Sequence, residues 1–403
     1  MTKTPRFPSL DGWRAVSILL VLGYHCQYSA GFPKRLDPVI NWLFDGNLGV
    51  RFFFVISGFL ITHLLLHEHN QTGSISLRNF YIRRALRILP VYFVFLLVVF
   101  LLQFFTSWYQ PTITWIGNLT FTTNFLPTSG QTTHLWSLAV EEQFYLLWPF
   151  LLVLIGLKGS NRTVCYILGI PLLVAPICRV ISRMKALPAI FHPFLQDFSF
   201  FNNFDSLAIG CIAAILLTRH KLQISAVLNV AKGASICLGL VLILIPYILS
   251  RLFLAEIFTV PLGNTCQALG FAILLLQSIL SPQLFKPLNW PAFKNLGILS
   301  YSIYIWQQIF LCNPQNFGFS RFWFMSFPGA LLTAILVAAL SYYGLEKPLM
   351  GLRAHFRKAD SPRSSDSNTI RLNSFPNSEA APPIGGTGSP AEFPGRGRRR
   401  PGR

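Results

Sequence analysis

Long apolar runs separated by short polar loops recur along most of the chain. A membrane-spanning helix needs roughly 20 consecutive, mostly apolar residues. About ten runs approach that length: 13–30, 47–66, 88–106, 138–157, 163–181, 200–218, 232–250, 258–280, 296–313 and 325–345. The pattern predicts an all-α fold, a polytopic bundle of about ten transmembrane helices in a lipid bilayer.

The composition agrees with a membrane protein. Hydrophobic residues make up 52% of the chain and charged residues 12%, whereas soluble domains contain roughly 25% charged residues. The first run carries Asp11 and Arg14 at its start and has no small-residue cleavage site, so it is predicted to be a span and not a signal peptide. Residues 1–356 are predicted to form one membrane domain.

Residues 357–403 differ from the rest of the chain. They are rich in Ser, Pro, Gly and Arg and end in a cluster of arginines. Such a segment buries too little apolar surface to fold alone, so a disordered, basic cytoplasmic tail is predicted. The tail could contact anionic lipid headgroups, but a tail without a specific role is the favoured interpretation.

The net charge of +19 does not indicate a nucleic-acid partner, because it is spread over short loops and the tail. With an even number of spans, inner loops would hold Arg78, Arg83, Arg84, Arg87, Lys158, Arg162, Arg219, Lys221, Lys232, Lys286 and Lys294. Outer loops would hold Lys34, Arg35, Arg179, Arg183, Lys185, Arg251 and Arg321. This excess of inner positive charge predicts that both termini are cytoplasmic.

The seven cysteines are scattered and lie mostly inside apolar runs. None has the paired spacing of a metal ligand set. They are interpreted as small buried hydrophobic residues, and no metal site is expected.

Arg14 and His25 both lie in the first apolar run. Eleven helical residues turn through roughly 1100°, so the two side chains share one stripe, roughly 16 Å apart along the helix axis. Placing an ionisable group at membrane depth costs free energy, and such groups are usually functional. The ordinary pKa of histidine, about 6.5, suits a general base. Asp11 could pair with Arg14 on the same face. The alternative to a functional role is that His25 makes a buried hydrogen bond and that Arg14 extends its charged group to the membrane surface.

Arg84 and Arg87 are separated by one helical turn at the start of another run. Two guanidinium groups at this spacing could bind phosphate or pyrophosphate bidentately. Ordinary positive-inside topology explains this stretch equally well.

Polar and aromatic residues are dense at the start of the fourth run. The candidates there are Trp136, Ser137, Glu141, Glu142 and Tyr145. Glu141 and Tyr145 share a helix face, and two adjacent carboxylates cannot both face lipid. For the Trp and Tyr an interfacial aromatic belt is the stronger interpretation.

Ser57 and Gly58 lie inside the second run. They are small enough to allow close helix packing or a local deformation, and packing is favoured.

Taken together, in the order in which they occur along the chain, these stretches resemble the acyltransferase-3 family of integral membrane O-acyltransferases, to which bacterial O-antigen acetylases belong. The matching pieces are 10–14 with His25, 49–61, 84–90 and 136–141, with weaker ones at 205–210, 300–306 and 346–348. They cover nearly all of residues 9–348. Each piece is weak alone, whereas the ordered set is highly specific.

The resemblance implies transfer of an acyl group, with acetyl as the default, from acyl-CoA to a hydroxyl group, often of a glycan, in the bacterial inner membrane. It implies that His25 is catalytic with Arg14 as its partner, that Arg84 and Arg87 meet the CoA phosphates, and that Glu141 is the acid of its motif. No permanently bound cofactor is expected.

Two features depart from the family pattern. Gln307 stands where many relatives have histidine. No hydrolase-like domain is expected after the membrane domain, although some relatives have one.

Two versions of the chemistry remain open. In direct transfer, His25 accepts the acceptor hydroxyl proton, while Arg14 orients it through Asp11 or stabilises negative charge. In a relay, His25 carries the acyl group covalently.

A proton-coupled transporter using the embedded His, Arg and Glu groups is an alternative of another class. The matching broken halves expected of many transporters are not found in the sequence. A non-catalytic membrane sensor or scaffold is a third possibility.

Overall fold

The computed structural model describes residues 7–127, 130–155, 161–184, 188, 191–311 and 322–358. The α-helices are α1 (Pro8–Cys26), α2 (Asp37–Leu43), α3 (Gly46–Thr72), α4 (Leu77–Leu102), α5 (Thr112–Thr120), α6 (Leu135–Ile155), α7 (Asn161–Ser182), α8 (His192–Leu195), α9 (Phe200–Arg219), α10 (Lys221–Val230), α11 (Lys232–Arg251), α12 (Glu256–Phe258), α13 (Asn264–Leu280), α14 (Pro291–Leu311), α15 (Gly329–Ser341) and α16 (Lys347–Lys358). Within these ranges the sole β pairing is an isolated bridge between Ala30 and Ser326. The predicted tail lies outside the described residues, except for its first two positions.

Seven helical stretches are long and apolar enough to cross a membrane: Lys34–Thr72, Leu77–Leu102, Gly130–Leu154, His192–Arg219, Lys232–Arg251, Glu256–Leu280 and Gly329–Leu352. A shorter apolar helix covers Tyr166–Ser182. The predicted all-α, multi-pass membrane fold is therefore confirmed. The count of about ten spans and the cytoplasmic location of both termini stay predictions.

Glycines allow the central helices to approach each other closely. The space beside Gly58 of α3 is filled by the backbone of Leu207 in α9, and the space beside Gly210 of α9 is filled by the backbone of Val55 in α3. Neither position could hold a side chain without moving a helix. The favoured packing role of Gly58 is thus confirmed, and it explains why α3 and α9 form the most extensive helix pair of the bundle.

Helix α1 lies between α3 and α14. The backbone of Ser17 in α1 fills the space beside Gly49 of α3, and the backbone of Asp11 fills the space beside Gly297 of α14. Backbone contacts on both sides fix the rotation of α1, and with it the directions of Arg14 and His25.

Helices α4 and α6 are packed differently. Each contains an internal proline, Pro90 in α4 and Pro149 in α6. Proline cannot donate the backbone hydrogen bond of its turn. These two helices also contact each other, and the rest of the bundle, much less than α3 contacts α9.

Several basic residues that were expected in loops lie inside helices, and this part of the prediction was wrong. Arg78, Arg83, Arg84 and Arg87 lie in α4, which begins at Leu77, and Arg179 is buried in α7. A hydropathy run begins only after the last charged residue. A helix, in contrast, continues through charged residues whose side chains find polar surroundings within the protein.

Candidate functional site

One cavity gathers most of the predicted site residues. It encloses about 730 Å³ of space not filled by atoms, part of it open to solvent. Its walls come from α1, α3, α4, α6 and α14. The lining residues are Arg14, Val50, Phe53, Phe54, Ile56, Ser57, Leu60, Arg84, Arg87, Ile88, Ser137, Leu138, Glu141, Tyr145, Ser300, Tyr301 and Tyr304.

Three arginines supply the positive charge of this cavity. Arg14 comes from α1, and the one-turn spacing of Arg84 and Arg87 turns both of them to the cavity from α4. Among the residues that the structure describes, none of the three forms an ion pair. Arg84 instead places its guanidinium 5.1 Å from the ring centre of Tyr145. Guanidinium groups are well suited to bind carboxylate or phosphate, so the charge of this cavity favours an anionic ligand.

Glu141 is the single carboxylate among the lining residues, and it is held by two hydroxyl groups. Ser57 of α3 donates to Glu141 Oε1 at 2.8 Å, and Tyr145 donates to Oε2 at 3.1 Å. The Tyr145 hydroxyl also lies 3.0 Å from Ser57 Oγ. The predicted shared face of Glu141 and Tyr145 is confirmed, and Ser57 joins α3 to α6 through this network.

Ser137 connects the cavity to a deeper histidine. Its hydroxyl makes a short hydrogen bond with the Tyr304 hydroxyl, and Tyr304 donates to the His134 backbone carbonyl at 2.9 Å. His134 is buried, with Nε2 placed 3.1 Å from the carbonyl of Ile305. His134 and Tyr304 were not predicted as site residues. Tyr304 lies in a stretch that carries the family resemblance and His134 two residues before another, but the sequence does not show that α6 and α14 face each other.

His25 lies beyond this cavity and does not line it. Its imidazole lies beside the Gln307 side chain and near His134. The Nδ1 atom of His25 is buried and has no hydrogen-bond partner among the described residues. Buried polar groups are rarely left unpaired. This cluster therefore has unused hydrogen-bonding capacity for a ligand.

The remaining predicted residues take other positions. Asp11 forms no ion pair with Arg14 in the described part of the chain, and its backbone packs against Gly297. Trp136 is buried and stacks on Phe198 with ring centres 4.7 Å apart, so it lies inside the bundle and not at a lipid interface. Glu142 is partly buried, and its Oε1 has no hydrogen-bond partner within the described ranges.

A second buried charge cluster was not predicted. Arg179 of α7 contacts both carboxylate oxygens of Asp205 in α9 at 2.7 Å. The same guanidinium donates to the Asn202 carbonyl and to Thr265 Oγ1, which in turn donates to Asp205. The stretch 205–210 pointed to Asp205 only weakly, and Arg179 had been placed in an outer loop.

No group of three His, Cys, Asp or Glu side chains within the described ranges is placed to hold a metal ion.

Comparison with known proteins identifies the family. The chain is 30% identical over 347 residues to "Peptidoglycan O-acetyltransferase OatA" of Listeria monocytogenes, covering 76% of this chain and 50% of that protein. It is 29% identical over 392 residues to "Putative peptidoglycan O-acetyltransferase YrhL" of Bacillus subtilis, covering 87% and 56%. The chain thus spans about half the length of these relatives. No solved structure matches it.

The sequence model of the acyltransferase domain matches residues 7–343. That range includes every helix lining the cavity, and with them Arg84 and Arg87 of α4. The chain therefore belongs to this family of membrane acyltransferases.

Proposed function

We propose that this protein transfers an acetyl group from acetyl-CoA to a hydroxyl group of a carbohydrate acceptor of the cell envelope. The observation that carries the proposal is the cavity lined by Arg14, Arg84 and Arg87, none of which forms an ion pair with a residue that the structure describes. Its relatives named as peptidoglycan O-acetyltransferases support a glycan as acceptor.

The cavity suits a donor with a charged head and an apolar arm. Arg84 and Arg87 bind the CoA phosphates as charge-assisted, bidentate donors. Arg14 lies roughly 16 Å from His25 along the α1 axis, so it belongs with this donor-binding wall and not with the acceptor. Glu141 lies near enough to Arg14 and Arg84 to attract both, and it limits the net charge of the empty cavity.

The acyl transfer is assigned to the cluster around His25. His25 accepts the proton of the acceptor hydroxyl while that oxygen attacks the thioester carbonyl. The C–S bond then breaks, and the CoA thiolate takes the proton from the imidazolium. The Gln307 amide, which lies beside His25, stabilises the negative carbonyl oxygen of the intermediate with its N–H.

The test uses the full chain reconstituted in lipid nanodiscs with ¹⁴C-acetyl-CoA and a soluble N-acetylhexosamine oligosaccharide. Wild type should release CoA and form a base-labile ester on the sugar. His25→Ala should lose more than about 99% of this activity, since general base catalysis contributes roughly 10²–10⁴-fold. His220→Ala is the control, because His220 caps α9 outside the cavity.

Other outcomes distinguish the alternatives. Wild-type activity in His25→Ala would refute the catalytic assignment. Radiolabel that stays on acid-quenched wild type without acceptor, but not on His25→Ala, would replace direct transfer by an acyl-histidine relay. Dissipation of a proton gradient in vesicles, with no ester formed, would support the transporter instead.

A further inference from the structure

A second concave surface lies at the end of α1 that carries His25. It has about 1040 Å³ of empty space, including the open side. We call it the outer cleft, and its lining residues are Pro38, Asn41, Trp42, Asp45, Ser250, Arg251 and Phe253. The cleft is close to the histidine, because Phe44 packs beside Gly23 and Tyr24 packs beside Gly46.

The floor of the outer cleft is polar and held in place. Asp45 accepts the backbone N–H of Leu48 with Oδ1, and its Oδ2 pairs with Arg251 at 3.1 Å. Arg251 also lies 5.2 Å from the ring centre of Tyr247, whose hydroxyl donates to the Trp42 carbonyl at 2.8 Å. These contacts join α2 and α3 to α11, so the groups that face the cleft are ordered before any ligand binds.

The rim of the cleft is aromatic and exposed. The Trp42 side chain is 46% exposed and the Phe253 side chain 82% exposed. Phe253 gains little burial within the protein, and Trp42 is about half-buried.

Phe253 occupies a position that favours glycine. Helix α11 ends in a Schellman arrangement, in which Leu254 N–H bonds to the Leu249 carbonyl and Phe253 N–H bonds to the Ser250 carbonyl. The residue at the position of Phe253 adopts a left-handed conformation, here with φ of 53°, and glycine takes it without strain. Packing within the protein does not offset the strain of phenylalanine at this point.

We propose that the outer cleft binds a saccharide unit of the acceptor, beside the residue that the acetyl group reaches. This inference rests on the proposed function. Trp42 and Phe253 stack on the apolar faces of sugar rings, while Asn41, Asp45 and Arg251 bind hydroxyl groups. A phosphorylated ligand fits less well, because Asp45 already neutralises Arg251.

The test measures acceptor and donor constants separately, again with the full chain in nanodiscs and a soluble β-1,4-linked N-acetylhexosamine tetramer. Trp42→Ala and Phe253→Gly should each raise the KM for the tetramer roughly 3- to 10-fold, as expected for loss of one aromatic stacking contact. The KM for acetyl-CoA should not change. Phe253→Gly should leave the thermal unfolding midpoint unchanged or raise it, since glycine removes the strain. An unchanged acceptor KM in both variants would overturn the proposal.

Trp290→Ala and Phe105→Ala are the controls, because these side chains are 59% and 75% exposed and lie outside the cleft. An equal rise of the acceptor KM in the controls would also overturn it.

Binding without chemistry separates this proposal from the proposed function. In saturation-transfer NMR, the tetramer should bind His25→Ala as it binds wild type, and should lose signal with Trp42→Ala. If His25→Ala keeps its activity, the catalytic assignment fails while this measurement still tests the cleft. If Trp42→Ala binds the tetramer like wild type, the cleft proposal fails while the catalytic assignment stands.

Discussion

Two groups of charged residues in the described part of the bundle, the Arg179–Asp205 cluster and the partly buried arginines of the cavity, differ in one respect. In the Arg179–Asp205 cluster, the carboxylate is saturated by Arg179, Thr265 and the backbone N–H of Ser206. In the cavity cluster, Arg14, Arg84 and Arg87 line a space not filled by protein and form no ion pair with any described residue. A closed cluster of this kind joins helices, whereas an open one is available to a ligand. A charged group inside the bundle does not by itself indicate a binding site. What distinguishes the two clusters is whether the charge is already paired within the protein.

The largest effect on folding is expected at the closed cluster. Asp205→Ala leaves the Arg179 guanidinium buried and unpaired, which should lower the free energy of unfolding by about 3–5 kcal/mol. Thermal unfolding in detergent, followed by circular dichroism, measures this change. The control is Asp197→Ala, which breaks an exposed ion pair with Arg183 (3.6 Å, side chains 66% and 64% exposed) worth about 0–1 kcal/mol. Equal unfolding midpoints for the two variants would contradict the structural role of Asp205.

The open cluster should show the opposite behaviour. Arg87→Ala breaks no ion pair among the described residues, so the unfolding midpoint should stay near that of wild type. The KM for acetyl-CoA should rise roughly 10- to 100-fold, as expected when a charged hydrogen bond to phosphate is lost. Initial rates at varied acetyl-CoA concentration measure it.

Arg78→Ala is the matched control for Arg87→Ala, because Arg78 is exposed on the same helix and outside the cavity. A large loss of stability in Arg87→Ala, with an unchanged KM for acetyl-CoA, would contradict this difference, because Arg87 would then have a structural role as Asp205 does.

The smallest effect is expected at Glu141, the carboxylate of the cavity, which accepts hydrogen bonds from two hydroxyl groups. Ser57→Ala removes one donor from Glu141 but leaves the Tyr145 hydroxyl at 3.1 Å. The loss of one such hydrogen bond, about 0.5–1.5 kcal/mol, should lower kcat/KM roughly 2- to 10-fold at unchanged stability. Single-turnover acetyl transfer measures it. Wild-type rates would show that the hydroxyl network does not position Glu141 for the reaction.

The sequence was sufficient for the fold class, and seven of its eleven candidate site residues line one cavity, although their roles stay predictions. Apolar runs identify membrane helices whatever their neighbours are, and a one-turn spacing places Arg84 and Arg87 on one face. It was not sufficient for contacts between helices. The Arg179–Asp205 pair joins residues 26 positions apart. A hydropathy pattern does not show that a charged residue inside a helix is neutralised by a partner so distant in the chain. The Asp11–Arg14 pair was expected from spacing alone, but the close approach of α1 to Gly297 of α14 determines where Asp11 lies.

The prolines and glycines of the bundle have a consequence for how the donor enters and leaves. Helices α1 and α3 meet their neighbours through backbone contacts at Gly49, Gly58 and Gly297, so a small sliding movement there would cause a steric clash. Pro90 lies three residues after Arg87 in the lightly packed α4, where one helical hydrogen bond is missing. Bending at this turn would open the cavity without such a clash. If the donor binds as proposed, Arg84 and Arg87 would lie on the moving wall, and the rate of donor release would depend on the stiffness of α4.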